Sequence, residues 1–131
     1  MTKNKIEDFL IISFTGQNDI IGLKINNNFF TKKFQTNIKN NKSLVNNILD
    51  FISEKKVEIN ENFSILVNVG PGSFSSIRIS LAVAKGIKIA KRAKIYGFKS
   101  VHLSKFDLEN IELLIKKNLI QNKLIKPLYL S

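Results

Sequence analysis

A chain of 131 residues, 44% of them hydrophobic and 24% charged, has room for one domain with one modest core. It contains no cysteine, which excludes disulfides and thiolate metal sites. No apolar run approaches the roughly 20 residues that span a bilayer, so we expect a cytoplasmic protein. The net charge of +11 suggests a nucleic-acid partner, but only Arg78 and Arg92 among the 21 basic residues are arginines, which usually make the bidentate contacts at such sites.

The first third of the chain predicts an antiparallel meander. Apolar runs indicate three strands with short connections, over residues 10–14, 20–25 and 29–35. Asn26–Asn28 suits a tight hairpin because asparagine tolerates positive φ.

A helix is predicted next. Residues 36–42 form a polar loop, Ser43 is a good N-cap, and apolar residues then recur at helical spacing through about Glu54. The apolar arc of this helix is wide, and its members are Leu44, Val45, Ile48, Leu49, Phe51 and Ile52.

The rest of the chain alternates strand and helix. A strand over 63–67, a helix over 74–92 and a strand over 93–98 precede short helical stretches near 101–105 and 108–118. Strands that alternate with helices pair in parallel and lie buried. We therefore predict a single α/β domain with a five-stranded mixed sheet and helices packed on it.

The turn before the second helix has two interpretations. Gly70 and Gly72 supply unusual backbone angles, Pro71 stiffens the turn, and Ser73 can cap the helix. The same geometry places amides at a helix N-terminus, where anions bind, with Arg78 one turn further on. The segment matches neither the P-loop nor the dinucleotide spacing, so it is a plain structural turn or an anion contact.

The second helix is apolar on two sides. A broad face, defined by Ile79, Ala82, Val83, Gly86, Ile89 and Ala90, suits packing on the sheet. A narrow stripe, defined by Ile77, Leu81 and Ala84, lies on the opposite side, and Lys85 and Lys88 lie beside it. The narrow stripe either packs on the 43–54 helix or docks another protein. In the second case the predicted interface consists of Leu44, Ile48, Ile77, Leu81, Ala84, Lys85 and Lys88, as half of an intermolecular helical bundle.

No catalytic constellation is evident in the sequence. His102 is the single histidine and suits a surface or capping position. It cannot by itself complete a Ser-His-Asp triad, and no zinc-ligand spacing occurs. Helical acids such as Glu54 and Glu109 suit solvated positions. The sequence therefore argues against an independent enzyme.

The segment Val69–Gly86, beginning Val-Gly-Pro-Gly-Ser-Phe-Ser-Ser-Ile-Arg-Ile, closely resembles the TsaB (YeaZ) family. Weaker similarities follow in the expected order. They are Lys42–Leu44 at the first helix, Tyr96–Val101 after the last strand, and the ending Lys126–Ser131.

The resemblance implies an actin-like (ribonuclease-H-like, ASKHA) half-fold and a non-catalytic role. Such a subunit partners TsaD, which with TsaE adds threonylcarbamoyl to the adenosine beside the tRNA anticodon. It implies no catalytic metal and no cofactor of the chain's own; nucleotide would bind only at the interface with TsaD. Direct tRNA contact, as in a stand-alone basic RNA-binding module, is the alternative, and a homodimer in the absence of TsaD stays open.

Two departures from the family pattern are evident. The family's second lobe is reduced here to about 103–131, so we expect one lobe and an incomplete cleft. Phe14-Thr15-Gly16 stands where the family reads Asp-Thr-Ser, and the acidic residue is therefore missing at that place.

Overall fold

A computed structural model describes residues 6–16, 18–34 and 41–122, with backbone alone for 41–43. Its sheet has five strands in the order β3-β2-β1-β4-β5. The strands are β1 (Phe9–Ser13), β2 (Ile20–Ile25), β3 (Asn28–Lys33), β4 (Ser64–Asn68) and β5 (Lys94–Phe98). β1 pairs antiparallel with β2 and parallel with β4, β2 pairs antiparallel with β3, and β4 pairs parallel with β5. The predicted mixed sheet is confirmed.

The meander is joined by the predicted hairpin. Asn26 and Asn27 have φ values of 48° and 72°, as a type I′ turn requires. Lys32 and Lys33 are exposed on edge strand β3, and charged side chains on an edge discourage pairing with another sheet.

Both faces of the central strands are buried, which explains their continuous apolar runs. Leu10 and Ile12 point to one face of β1, while Phe9 and Ile11 point to the other, and all four are fully buried. Strands covered on both faces lose the polar alternation of a half-exposed sheet.

Helices α1 (Asn41–Glu54) and α2 (Phe74–Lys91) cover the first face. Ile48 and Phe51 of α1 join Ile77 and Leu81 of α2 in the larger core cluster. The sequence predicted Ser43 as the N-cap of this helix. That prediction is wrong, because α1 begins at Asn41 and Ser43 lies within the helix.

Helix α3 (Leu108–Lys116) covers the second face of the same sheet. Ile111 and Leu114 pack with Phe9, Ile11 and other residues of the smaller cluster. Asp107 caps α3 by accepting the Asn110 N–H at 2.9 Å. Residues 103–122 thus pack against the sheet itself, while the terminal motif Lys126–Ser131 and the tail lie outside the described residues.

Two further predictions concern the helical segments. The stretch near 101–105 forms a single 3₁₀ turn over Ser100–His102. Within the described ranges, no helix is long and apolar enough to cross a bilayer.

Candidate functional site

The carboxyl ends of β1, β4 and β5 meet at one edge of the sheet, where ligands bind in many open α/β folds. Asn68, at the end of β4, joins the three strands there. Its Nδ2 donates to Ser13 Oγ at 3.1 Å, and its Oδ1 accepts from Gly70 N at 2.8 Å and from Ser100 Oγ at 2.9 Å. Ser100 N also donates to the Gly70 carbonyl at 2.9 Å. Asn68 is therefore engaged in holding the Gly70–Ser73 turn.

The Gly70–Ser73 turn interlocks with the turn that follows β1. Ser73 N–H donates to the Thr15 carbonyl at 2.7 Å. A Cβ at Gly72 would lie 2.6 Å from Thr15 Cβ, and one at Gly16, whose φ is +92°, would lie 2.7 Å from Ser73 Cβ. Glycine is needed at both positions because the two backbones touch. This close approach fixes where α2 begins.

Gly72→Ala should destabilise the fold by about 1–3 kcal/mol, because the new methyl group would push the two turns apart. Gly86→Ala is the matched control, since nothing lies within 4 Å of a Cβ placed there. That change should be neutral or stabilising by roughly 0.5–1 kcal/mol through helix propensity. Urea unfolding of the two variants measures the difference, and equal free energies of unfolding would contradict the interlock.

Asp19 is the buried carboxyl group of this region, at 4% exposure. Its Oδ1 accepts the Gly16 N–H at 2.9 Å, across the turn after β1. Burial raises the pKa of Asp19, and hydrogen bonds from the Gly16 and Thr15 backbones oppose that rise. The segment Phe14–Gly16 itself has no acidic residue, and the carboxylate of Asp19 is directed at the backbone of this turn.

Asp19 should make the fold less stable as the pH rises. A carboxyl group whose folded pKa exceeds its ordinary value of 3.8 binds a proton more tightly in the folded chain. Its favourable contribution is present at low pH and is lost as the pH rises through the folded pKa. In urea unfolding, the stability of wild type minus that of Asp19→Asn should be smaller at about pH 7.5 than at about pH 4.5. A difference that grows with pH would contradict this sign.

The N-terminus of α2 only partly matches the sequence prediction. Ser73 is the N-cap residue with extended backbone angles, yet its side chain caps no amide and its Oγ lies 3.4 Å from Ser75 Oγ. Gly70 and Gly72 are buried. Arg78 is exposed, and its guanidinium lies 5.5 Å from the ring centroid of Phe74. The anion contact of Gly70, Gly72, Ser73 and Arg78 stays a prediction.

The two apolar sides of α2 are buried to different extents from those that the sequence suggested. The narrow stripe is buried in the core, with Ile77 and Ala84 at 0% exposure and Leu81 at 5%. The broad face is divided: Ile79 and Val83 are half-buried and pack against the core. Its remaining members, Ala82, Gly86, Ile89 and Ala90, are exposed, and Ile89 is 82% exposed. Of the two interpretations of the narrow stripe, packing with α1 in the core is the one observed, and docking through Ile77, Leu81 and Ala84 is wrong for the folded chain.

Two physical reasons explain this difference from the prediction. The buried side of α2 includes Ser76 and Ser80, which weaken its apolar periodicity, but Ser80 Oγ donates to the Ser76 carbonyl at 2.8 Å and so avoids an unpaired hydroxyl. Helix α2 is also longer than the strands on which it packs. Its 18 residues span about 27 Å, against roughly 17 Å for a five-residue strand. From Lys85 onward only Ile87 of α2 is half-buried, and the other residues are exposed.

Gly86 illustrates the correction. Gly86 belongs to the face that the sequence predicted to pack on the sheet, yet it is exposed, with open space where a side chain would lie. Glycine has a lower helix propensity than alanine, and packing within the chain does not offset that loss at Gly86.

Helix α1 shows the same division. Leu44 and Ile48, which were also predicted at the interface, are 4% and 0% exposed in the core. Leu49 is 45% exposed and is the apolar side chain of α1 most open to solvent. Of the seven predicted interface residues, Lys85 and Lys88 are the ones on the surface.

The titratable side chains of the described residues form no cluster of metal-ligand type. No three His, Asp or Glu side chains come together there in a way that could hold a metal ion. His102 is exposed, as predicted, and lines a shallow cleft of about 240 Å³ with Lys99 and Asn118. Glu54 and Glu109 are exposed, also as predicted.

No protein-family model and no curated protein matches the sequence. Solved structures do match the fold. YeaZ from Pseudomonas aeruginosa superposes with a TM-score of 0.64 at 16% identity, over 75% of this chain and 46% of YeaZ. A protein from the same organism, described as uncharacterized with similarity to the peptidase YeaZ, gives 0.64 and 16% over 75% of this chain and 45% of its own. The chain thus spans a little under half the length of these proteins, and it has the YeaZ fold, the actin-like half-fold that its sequence predicted.

Proposed function

We propose that this chain is a non-catalytic, TsaB-like partner subunit of TsaD, in the complex that adds threonylcarbamoyl to the adenosine next to the tRNA anticodon. The exposed part of the broad face of α2, formed by Ala82, Gly86, Ile89 and Ala90, is the single observation that carries the proposal. A helix that leaves Ile89 82% exposed, beside Ala82 and Gly86, has apolar surface that a second helix can cover.

The proposal also rests on agreement between sequence and fold. The motif of 69–86 resembles the TsaB family, and the fold matches YeaZ. The motif forms the interlocked turn that sets the start of α2, so the residues carrying the resemblance are those that position the broad face.

The interface that we propose differs from the one first predicted. It consists of the exposed part of the broad face of α2, Lys85 on the flank of that face, and Leu49 of α1. Lys88 lies on the side of the narrow stripe and is not part of this interface. Small residues on the broad face allow a second helix to approach closely. Such an approach would explain why a glycine stands at position 86.

Co-expression with tagged TsaD from the same organism tests the proposal. We expect this chain to co-purify with TsaD, and the complex, supplied with TsaE and nucleotide, to modify tRNA where TsaD alone does not. The chain alone should be inactive on peptides. Absence of both complex and tRNA modification would contradict the proposal.

A stand-alone RNA-binding module is the competing function, supported by the net charge of +11. It requires that the chain alone bind tRNA with an affinity that falls steeply with salt. If the chain alone does not bind tRNA, or if its affinity for tRNA does not change with salt concentration, this competing function is excluded. The TsaB-like proposal expects tRNA to be contacted through the complex.

A further inference from the structure

The exposed part of α2 carries positive charge without any negative charge. Residues 74–92 contain five cations and no acidic residue. Arg78 and Lys85 are seven residues apart, which places them along one flank of the broad face. Arg92 is the exposed C-cap residue at the end of the helix. The face is therefore an apolar strip with a basic border.

These cations have no carboxylate partners among the residues that the structure describes. The ion pair found there joins Lys24 to Glu112, at 3.7 Å, on the other side of the sheet. Arg78 lies against the Phe74 ring and not against an acid. A partner that brings carboxylates would thus meet cations that are not already neutralised within the described chain.

We infer that the broad face of α2 binds an amphipathic helix of a different protein, one whose apolar stripe is bordered by carboxylates, and that it does not bind a second copy of this chain. The inference rests on the proposed function for the existence of a docked partner. It goes further by naming the chemistry of the partner's surface and by deciding against a homodimer through this face.

Charge decides between the two occupants. A two-fold dimer uses the same patch on both subunits, so each copy would bring the same basic border to the contact. Like charges across an interface oppose association, whereas an acidic border is attracted and fixes the register of the docked helix. RNA would satisfy the cations but would leave Ile89 and its apolar neighbours without an apolar partner.

Two synthetic helical peptides test the inference on the full chain. They share one leucine and alanine stripe and differ only in flanking residues, glutamate in one and lysine in the other. In about 50 mM NaCl we expect the affinity of the chain for the glutamate peptide to be at least about tenfold higher than its affinity for the lysine peptide. This difference in affinity should become smaller in about 0.5 M NaCl. Light scattering of the chain alone should show a monomer at both salt concentrations.

Lys85→Glu supplies the matched variant. It should weaken the glutamate peptide and strengthen the lysine peptide. Lys116→Glu, the same change at an exposed position of α3, should leave both affinities unchanged. Equal affinity for the two peptides, a dimer that Ile89→Asp dissolves, or tRNA binding that Lys85→Glu abolishes while neither peptide competes would each overturn the inference.

The outcomes separate this inference from the proposed function. If TsaD binds but Lys85→Glu changes neither its affinity nor the peptide preference, the charge argument is wrong and the partnership stands. If the peptide preference holds but TsaD does not bind, the surface chemistry is right and TsaD is not its occupant.

Discussion

Leu81→Asp should unfold the protein, and any loss of TsaD binding by this variant should follow from unfolding. Leu81 is 5% exposed and packs in the cluster that holds α1 and α2 on the sheet. Truncation of a core leucine to alanine costs about 2–5 kcal/mol, and an unpaired buried carboxylate costs more. Total stabilities of roughly 5–15 kcal/mol leave little margin against such a loss.

Circular dichroism and urea unfolding measure the effect. We expect Leu81→Asp to lose its cooperative transition or to unfold at a much lower urea concentration. Leu81→Ala should fold with an intermediate loss of about 2–5 kcal/mol, which grades the effect by burial. A Leu81→Asp variant with wild-type stability would show that Leu81 is not in the core.

The sequence was sufficient to predict the fold because its signals are local and agree with one another. Apolar runs such as 10–14 identify strands buried on both faces, and the Asn26–Asn27 hairpin follows from backbone preference. The strand and helix alternation after residue 63 then determines which strands are parallel.

The sequence was not sufficient to predict which side of α2 faces the core. Periodicity counts apolar residues, but burial depends on what each side meets in three dimensions. Serines that bond to the helix backbone made the buried side appear weak, and the excess length of α2 over the strands was not visible in the pattern.

Asn68 and Asp19 were missed for a related reason. Each is a single polar residue beside an apolar run, and only the fold brings Asn68 to Ser13 or Asp19 into the buried turn.

Ile89→Asp should abolish TsaD binding while the chain stays folded. Ile89 is 82% exposed, so its removal costs the isolated fold little, within about 0.5–1 kcal/mol. The new carboxylate would lie one turn from Lys85, a spacing at which opposite charges attract weakly. In a docked helical bundle the same carboxylate would be buried in an apolar contact, and interface anchors typically contribute about 2–4 kcal/mol. We therefore expect affinity for TsaD to fall about 30-fold or more.

The matched control is Val101→Asp, the same change of chemistry at a residue that is 73% exposed in the 3₁₀ turn after β5. Calorimetric titration of TsaD with each variant, and urea unfolding of each variant alone, separate binding from stability. We expect Val101→Asp to bind like wild type and Ile89→Asp to unfold like wild type. If Ile89→Asp is folded and still binds TsaD with full affinity, the broad face is not the interface. A docking role for α1 would then depend on Leu49, because its buried residues Leu44, Ile48 and Phe51 are committed to the core.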